Sequence, residues 1–308
     1  MVSVAVWMIS YNHEPFIEQA INGFLEQTLN IPKKLFLSID KSTDKTLQIA
    51  TDYVKKYPEL ILLNTYHDRV GYQENFIRNL EAIDDSYQYI AMCEGDDYWC
   101  DTQKLQKQIE QLESHEDHVM VFHDGFSLDD NDNVVSNFSH GRLKENRSGI
   151  IDSSIIISSP QRMIHLSSIC FKKKYINLSL LRSRFINAPV LDTPLINLLA
   201  SSGKILYIKD KMFYQRNHSE SITQQRNFNF EYYLLVKNML LEVKKVLPEY
   251  TRELNSAIGG RYFSYLLFRI SNSGKLLDRI IIFIKMLFFR KFWDYSIRDV
   301  FYIFRNIK

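Results

Sequence analysis

Glu94-Gly95-Asp96-Asp97 places three carboxylates within four residues, directly after the apolar run Tyr89–Cys93 and just before Tyr98-Trp99. Like charges this close repel unless something positive lies among them, and a hard divalent cation held by oxygen ligands is a common solution. Gly95 is expected to let the backbone turn tightly, so that the neighbouring carboxylates converge. The competing reading is a solvated acidic turn that caps the following helix. Two later residues have suitable chemistry. Asp192, in Leu191-Asp192-Thr193-Pro194-Leu195, precedes apolar Leu195, Leu198 and Leu199 and so stands at a helix start. By itself it reads as a helix cap, and His218, in Tyr214-Gln215-Arg216-Asn217-His218-Ser219, reads as an exposed loop histidine.

The elements that must position these groups follow from hydrophobic spacing. Residues 2–10 form a buried strand, and Ser10-Tyr11-Asn12-His13-Glu14-Pro15 hands over to helical spacing at Phe16, Ala20, Ile21, Phe24 and Leu25. Lys34–Ile39 predicts a second strand, ending in Asp40-Lys41-Ser42-Thr43-Asp44 before a helix with Leu47, Ile49, Ala50, Tyr53 and Val54. Leu60–Leu63 predicts a third strand, followed by a loop through Gly71 and a helix with Phe76, Ile77 and Leu80. Tyr89–Cys93 predicts a fourth, running into the acidic cluster and a helix from about Gln103 to Leu112. Strands alternating with helices imply an α/β fold with a mixed, mostly parallel sheet flanked by helices, whose ligands collect beyond the carboxyl ends of the strands. The polar clusters at 10–15, 40–44, 71–75 and 94–97 all fall there. Later strands are predicted at His118–Phe122 and Gly203–Ile208, and the chain after about residue 228 reads as helical.

Ser10-Tyr11-Asn12, Asp40-Lys41-Ser42-Thr43-Asp44, Gly71-Tyr72-Gln73-Glu74-Asn75-Phe76 and Glu94–Trp99, in this order, resemble the nucleotide-binding half of family-2 glycosyltransferases of the GT-A (Rossmann-like) fold. The resemblance continues to about residue 223. It implies a catalytic domain over 1–225, with a nucleotide-sugar half to about 125 and an acceptor half beyond, and a helical C-terminal extension over 226–308. It also implies that Tyr11 packs on the nucleotide base beside Ser10, that Asp40 accepts a base or ribose hydrogen bond, and that Asn75 lies near the nucleotide. Asp96 becomes the metal ligand for Mn2+ or Mg2+, with Glu94 at the ribose, the metal or a metal-bound water, and Asp97 facing the sugar. The resemblance makes Asp192 the general base, His218 a third metal contact and Arg216 a phosphate partner, and places His165-Leu166-Ser167-Ser168 on the acceptor side. Two departures stand out: Glu94 where aspartate is common, and Ile39 where a second aspartate often precedes Asp40. The implied activity is an inverting hexosyl- or N-acetylhexosaminyl-transferase using a nucleotide sugar, by default a UDP-sugar, on a glycan or lipid-linked acceptor. Surface polysaccharide biosynthesis, as of capsule or lipopolysaccharide, is the implied setting. A sugar nucleotidyltransferase would carry a glycine-rich basic loop where this chain has residues 10–15, and a non-catalytic nucleotide-sugar-binding or scaffold subunit would not need both Asp96 and Asp192. His13, His67, His115, His118, His123 and His140 receive no role.

The 308 residues carry a net charge of +2, which gives no reason to expect nucleic acid as a partner. Cys93, Cys100 and Cys170 show no metal-ligand spacing, and their odd number argues against a disulfide framework, so a reducing, cytoplasmic setting is expected. No secretory leader is read at residues 1–9, and no apolar run reaches the roughly 18 to 20 residues of a membrane-spanning helix. Positive charge is local: residues 274–308 hold eight Lys/Arg and three Asp, interleaved with Phe283, Phe288, Phe289, Phe292, Trp293 and Phe301. Such a segment suits peripheral contact with the inner membrane face, or packing on the catalytic domain or a second subunit.

Overall fold

The computed structural model describes residues 2–138, 148–158, 164–218, 230–271 and 281. The expected strand–helix alternation opens the chain: β1 (Val4–Ser10), α1 (Ile17–Leu25), β2 (Lys33–Ile39), α2 (Thr46–Lys56), β3 (Ile61–Thr65), α3 (Tyr72–Glu81) and β4 (Tyr89–Met92). β3-β2-β1-β4 lie side by side, and each neighbouring pair is parallel. Every residue of β1 is buried, as a central strand covered on both faces requires. Its alternation divides the core, with Val4, Val6 and Met8 packing beneath α1 and α2, and Ala5, Trp7 and Ile9 beneath α3. The Trp7 ring lies 4.6 Å from Phe76 and its Nε1–H donates to the Phe76 carbonyl. Asn79 of α3 donates to the Met8 and Phe36 carbonyls, fixing the helix across β1 and β2.

Beyond β4 the sheet becomes mixed. The short β5 (Tyr98–Trp99) and α4 (Lys104–Glu113) precede β6 (His118–Leu128), which continues well past the predicted Phe122, and β7 (Val134–Phe138) returns against it. β8 (Gly149–Ile151) and α5 (Ser153–Ser158) follow, and β9 (Cys170–Lys172) inserts antiparallel between β4 and β6. α6 (Leu178–Phe185) and α7 (Asp192–Ser201) lead to β10 (Lys204–Arg216), which extends eight residues beyond the predicted Ile208 and runs parallel to β6 through irregular register. That extension carries the chain from the sheet to Arg216, two residues short of His218.

The helices α8 (Phe230–Val246) and α9 (Thr251–Ser271) bury Val236, Met239, Leu240, Val243, Leu254 and Ala257 in the same core as α3 and α7. The boundary expected near 225 and nearly all of the basic-aromatic segment 274–308 lie outside the described residues. Among the described residues no helix is long and apolar enough to cross a membrane.

Candidate active site

The loops after β1, β2, β3 and β4 meet at the carboxyl edge of the sheet and fasten to one another. Asn12 takes the left-handed conformation (φ 53°), its N–H donates to the Ser42 hydroxyl, and its Oδ1 accepts from the Thr43 N–H. The His13 N–H donates to Thr46 Oγ1 and the Glu14 N–H to Asp44. Asp40, 3% exposed, accepts from the backbone N–H groups of Lys41, Val70 and Gly71 at 2.8–2.9 Å, which ties the loop after β3 to the end of β2. Gly71 (φ 83°) then turns the chain into α3.

The acidic loop is held by a close approach rather than by an unusual turn. Gly95 donates to the Ile9 carbonyl, and a Cβ there would lie 2.8 Å from the Ser10 Cβ and 2.9 Å from the Ile9 oxygen. The tight turn expected at Gly95 is present, closed by the Asp97 N–H on the Glu94 carbonyl at 3.1 Å, but Gly71 is the glycine with positive φ among the described residues, so glycine at 95 is needed for room against β1 and not for a left-handed backbone.

The three carboxylates separate into two groups. Asp96 Oδ2 lies 3.2 Å from His218 Nε2 and 3.9 Å from His13 Nε2, and one ligand atom from each of these residues falls within 4.8 Å of the others. Burial works against the Asp96 charge, but the charge of His13, with the hydrogen bond and charge of His218, outweighs it and brings its pKa down to about 2. Burial lowers the His13 pKa, and His218 adds to the effect against the pull of Asp96. Glu94 and Asp97 instead face His165, with Nε2 3.8 Å from Glu94 Oε2 and Nδ1 3.5 Å from Asp97 Oδ2.

Several expectations change accordingly. Glu94 does not join Asp96 and His218; its backbone N–H donates to Ser167 Oγ and its carboxylate belongs to the His165 group. Asp97, 2% exposed, points into the protein, accepting from the Ser167 hydroxyl at 2.6 Å and the Arg216 N–H at 3.1 Å. Burial and the adjacent Asp96 charge raise its pKa well above the usual carboxylate range. Asn75 is 2% exposed and bonded to Ser38 through its Oδ1, so it joins α3 to β2 instead of facing a ligand. Arg216 reaches the site, but its guanidinium is engaged by Asp132, the Asp96 carbonyl and Gln19, between the rings of Phe16 and Tyr98. These contacts hold the acidic loop from the end of β10. Ser10 is buried and its Oγ has no hydrogen-bond partner, while Tyr11 lies beneath Arg69, 4.2 Å from its ring.

Asp192 opens α7 and is half-buried, its Oδ1 accepting from the Thr193 N–H and hydroxyl. The preceding segment is anchored where Gln73 of α3 donates to the Ala188 carbonyl. That bond ties the segment before α7 to the first turn of α3. His13 was missed from sequence because a lone loop histidine carries little information; its place in the same strand-end loop as Tyr11 was the available signal.

Residues 5–169 match glycosyl transferase family 2, and the chain belongs to that family. Among curated relatives it is 37% identical over 120 residues to an uncharacterized protein of Mycobacterium tuberculosis, a match covering 39% of this chain and 34% of that protein. It is 34% identical over 94 residues to the dTDP-rhamnosyl transferase RfbG of Shigella flexneri, covering 30% of this chain and 32% of that one. The chain thus matches about a third of the length of these relatives. The fold is similar to S. aureus TarS 1–349 solved with UDP-GlcNAc, with a TM-score of 0.65 at 16% identity, covering 94% of this chain and 81% of that one. It is also similar to a mannosyltransferase of Pyrobaculum calidifontis solved with GDP-Man and Mn2+, with a TM-score of 0.54 at 14% identity, covering 97% and 84%.

Proposed function

We propose that the chain is a metal-dependent, inverting glycosyltransferase that moves a sugar from a nucleoside diphosphate sugar to a glycan or lipid-linked acceptor in surface polysaccharide assembly. The observation that carries this reading is the pairing of Asp96 with His218 beside strand-end loops locked in place by Asn12, Asp40 and Gly95. A carboxylate and two imidazoles with atoms within 4.8 Å of one another are a donor set suited to a divalent ion. Asp96 and His218 would hold Mn2+ or Mg2+, which when bound neutralises charge on the diphosphate. Tyr11, with Arg69 over its ring, forms the wall for the base, and Asp40 retains lone-pair capacity for a donor on the nucleoside.

In the reaction the acceptor oxygen forms its bond to the anomeric carbon as the bond to the diphosphate oxygen breaks. Asp192 takes the acceptor hydroxyl proton, a general-base role worth about 10² to 10⁴ in rate. Attack from the face opposite the leaving group inverts the anomeric centre, and no covalent intermediate is needed. UDP-sugars are the first donor to test, in line with TarS; dTDP-sugars form the second arm because of the match to RfbG. In a thermal-shift panel with Mn2+, one nucleotide sugar class is expected to raise the melting temperature by several degrees, and much less with chelator. No shift with any nucleotide sugar in the presence of metal would contradict the reading.

A further inference from the structure

We infer that His13 is a third protein ligand of the cation site, making it a two-histidine, one-carboxylate centre that selects first-row transition ions over Mg2+. The inference rests on the reading of Asp96 and His218 as metal ligands. It adds a residue from a different loop and a consequence for which ion the site takes.

His13 is held among polar groups without the hydrogen bonds that would explain its position. Its Nδ1 is buried with no partner, and its Nε2 stands 3.9 Å from Asp96 Oδ2, beyond hydrogen-bond range. An ion bound through Nε2 does not pair Nδ1, so it is the place of Nε2 relative to Asp96 and His218 that makes His13 a ligand. The backbone holds that place, because the His13 N–H is fixed to Thr46 and its carbonyl accepts from Phe16 and Ile17 at 2.9 Å. His218 approaches from the end of β10, its ring 4.8 Å from Phe16, and Asn217 beside it is fastened to the Leu128 carbonyl. Asp96 is set by the Gly95 approach to β1 and by Arg216 on its own carbonyl. Three rigid elements therefore aim three side chains at one point.

The spacing that allows the His218–Asp96 hydrogen bond also suits an ion shared with His13. Ligand atoms at about 2.1 Å from an octahedral ion lie about 3.0 Å apart when adjacent and about 4.2 Å apart when opposite. The 3.2 Å from His218 to the shared Asp96 oxygen is close to the adjacent value, and the 3.9 Å from His13 is nearer the opposite one. Mg2+ prefers carboxylate and water oxygens, whereas each imidazole nitrogen favours the later first-row ions. A site with one carboxylate and two imidazoles is thus biased away from Mg2+, with Mn2+ the weakest-held of the first-row ions and Fe2+ and Co2+ held more tightly.

The test uses the full chain with Mn2+ and UDP. Pulsed electron paramagnetic resonance of bound Mn2+ is expected to show two coordinated imidazole nitrogens in the wild type and one in His13→Gln. The Mn2+ affinity of that variant should fall about tenfold or more, in keeping with the loss of an inner ligand. His13→Asp should move the preference toward Mg2+, a gain that a misfolded variant cannot produce. An unchanged nitrogen count and affinity in His13→Gln, with Mn2+ binding lost in Asp96→Asn, would overturn the role of His13 and leave the Asp96–His218 site standing. Full Mn2+ affinity in Asp96→Asn as well would overturn both.

Discussion

Asp192→Asn is expected to lower sugar transfer by about 10² to 10⁴ while leaving nucleotide affinity within twofold of the wild type. The amide is nearly isosteric, and its oxygen can still accept the Thr193 N–H, so the start of α7 is preserved. What it cannot do is take a proton from the acceptor hydroxyl. The loss therefore belongs in kcat, with the donor KM and the calorimetric affinity for UDP unchanged, because no donor contact has been removed. Transfer at the wild-type rate would remove Asp192 as the base. A parallel loss of donor affinity and transfer would instead assign it to donor binding.

Lys104→Met is expected to stabilise the protein by about 2–4 kcal/mol at pH 6, and by less than about 1 kcal/mol at pH 10. Lys104 is fully buried, its ammonium has no hydrogen-bond partner, and it sits 3.5 Å above the Trp99 ring. Burial brings its pKa down to about 7, with Cys170 and Cys93 opposing the shift. The unfolded chain keeps a lysine near 10.4, so between about 7 and 10.4 the unfolded state binds the extra proton and stability rises with pH. Below about 7 both states are protonated and the full penalty of burying the charge applies. Its size is the pKa difference converted at 1.36 kcal/mol per unit, less the attraction to Trp99 of about 0.5–2 kcal/mol. Urea unfolding of wild type and variant at both pH values measures the difference. Parallel pH profiles would show that Lys104 finds a partner or water not accounted for by its packing.

The parallel half of the fold was legible because its strands are short apolar runs closed by polar loops, a pattern that period and composition both report. β9 was not, since three residues cannot show an alternation, and its antiparallel insertion between β4 and β6 is decided by packing. The length of β10 was hidden for a related reason: Asp210 and Lys211 interrupt the apolar pattern where its pairing to β6 becomes irregular. At the site, sequence identified loops better than side-chain roles. Asp40, Asn75, Asp97 and Arg216 all lie in or beside the predicted region, yet each uses part or all of its polar capacity on the protein itself. Whether a polar side chain faces a ligand or a backbone N–H depends on tertiary neighbours, which spacing along one chain does not encode. His13 is the converse, a residue without a sequence motif of its own that the loop locks opposite Asp96.

The division of the acidic cluster also changes how it works. Asp96 faces two histidines, while Asp97 supports it from behind through Ser167 and the Arg216 backbone. Asp97 and Arg216 are best understood as the frame that holds the Asp96 loop against β1.

The most direct measurement is anomalous scattering at the manganese edge from a crystal grown with Mn2+ and UDP. The site described predicts one strong peak between Asp96 and His218, with the diphosphate against it and the base beside Tyr11. Nucleotide bound elsewhere, or a peak that does not contact Asp96, would contradict the assignment.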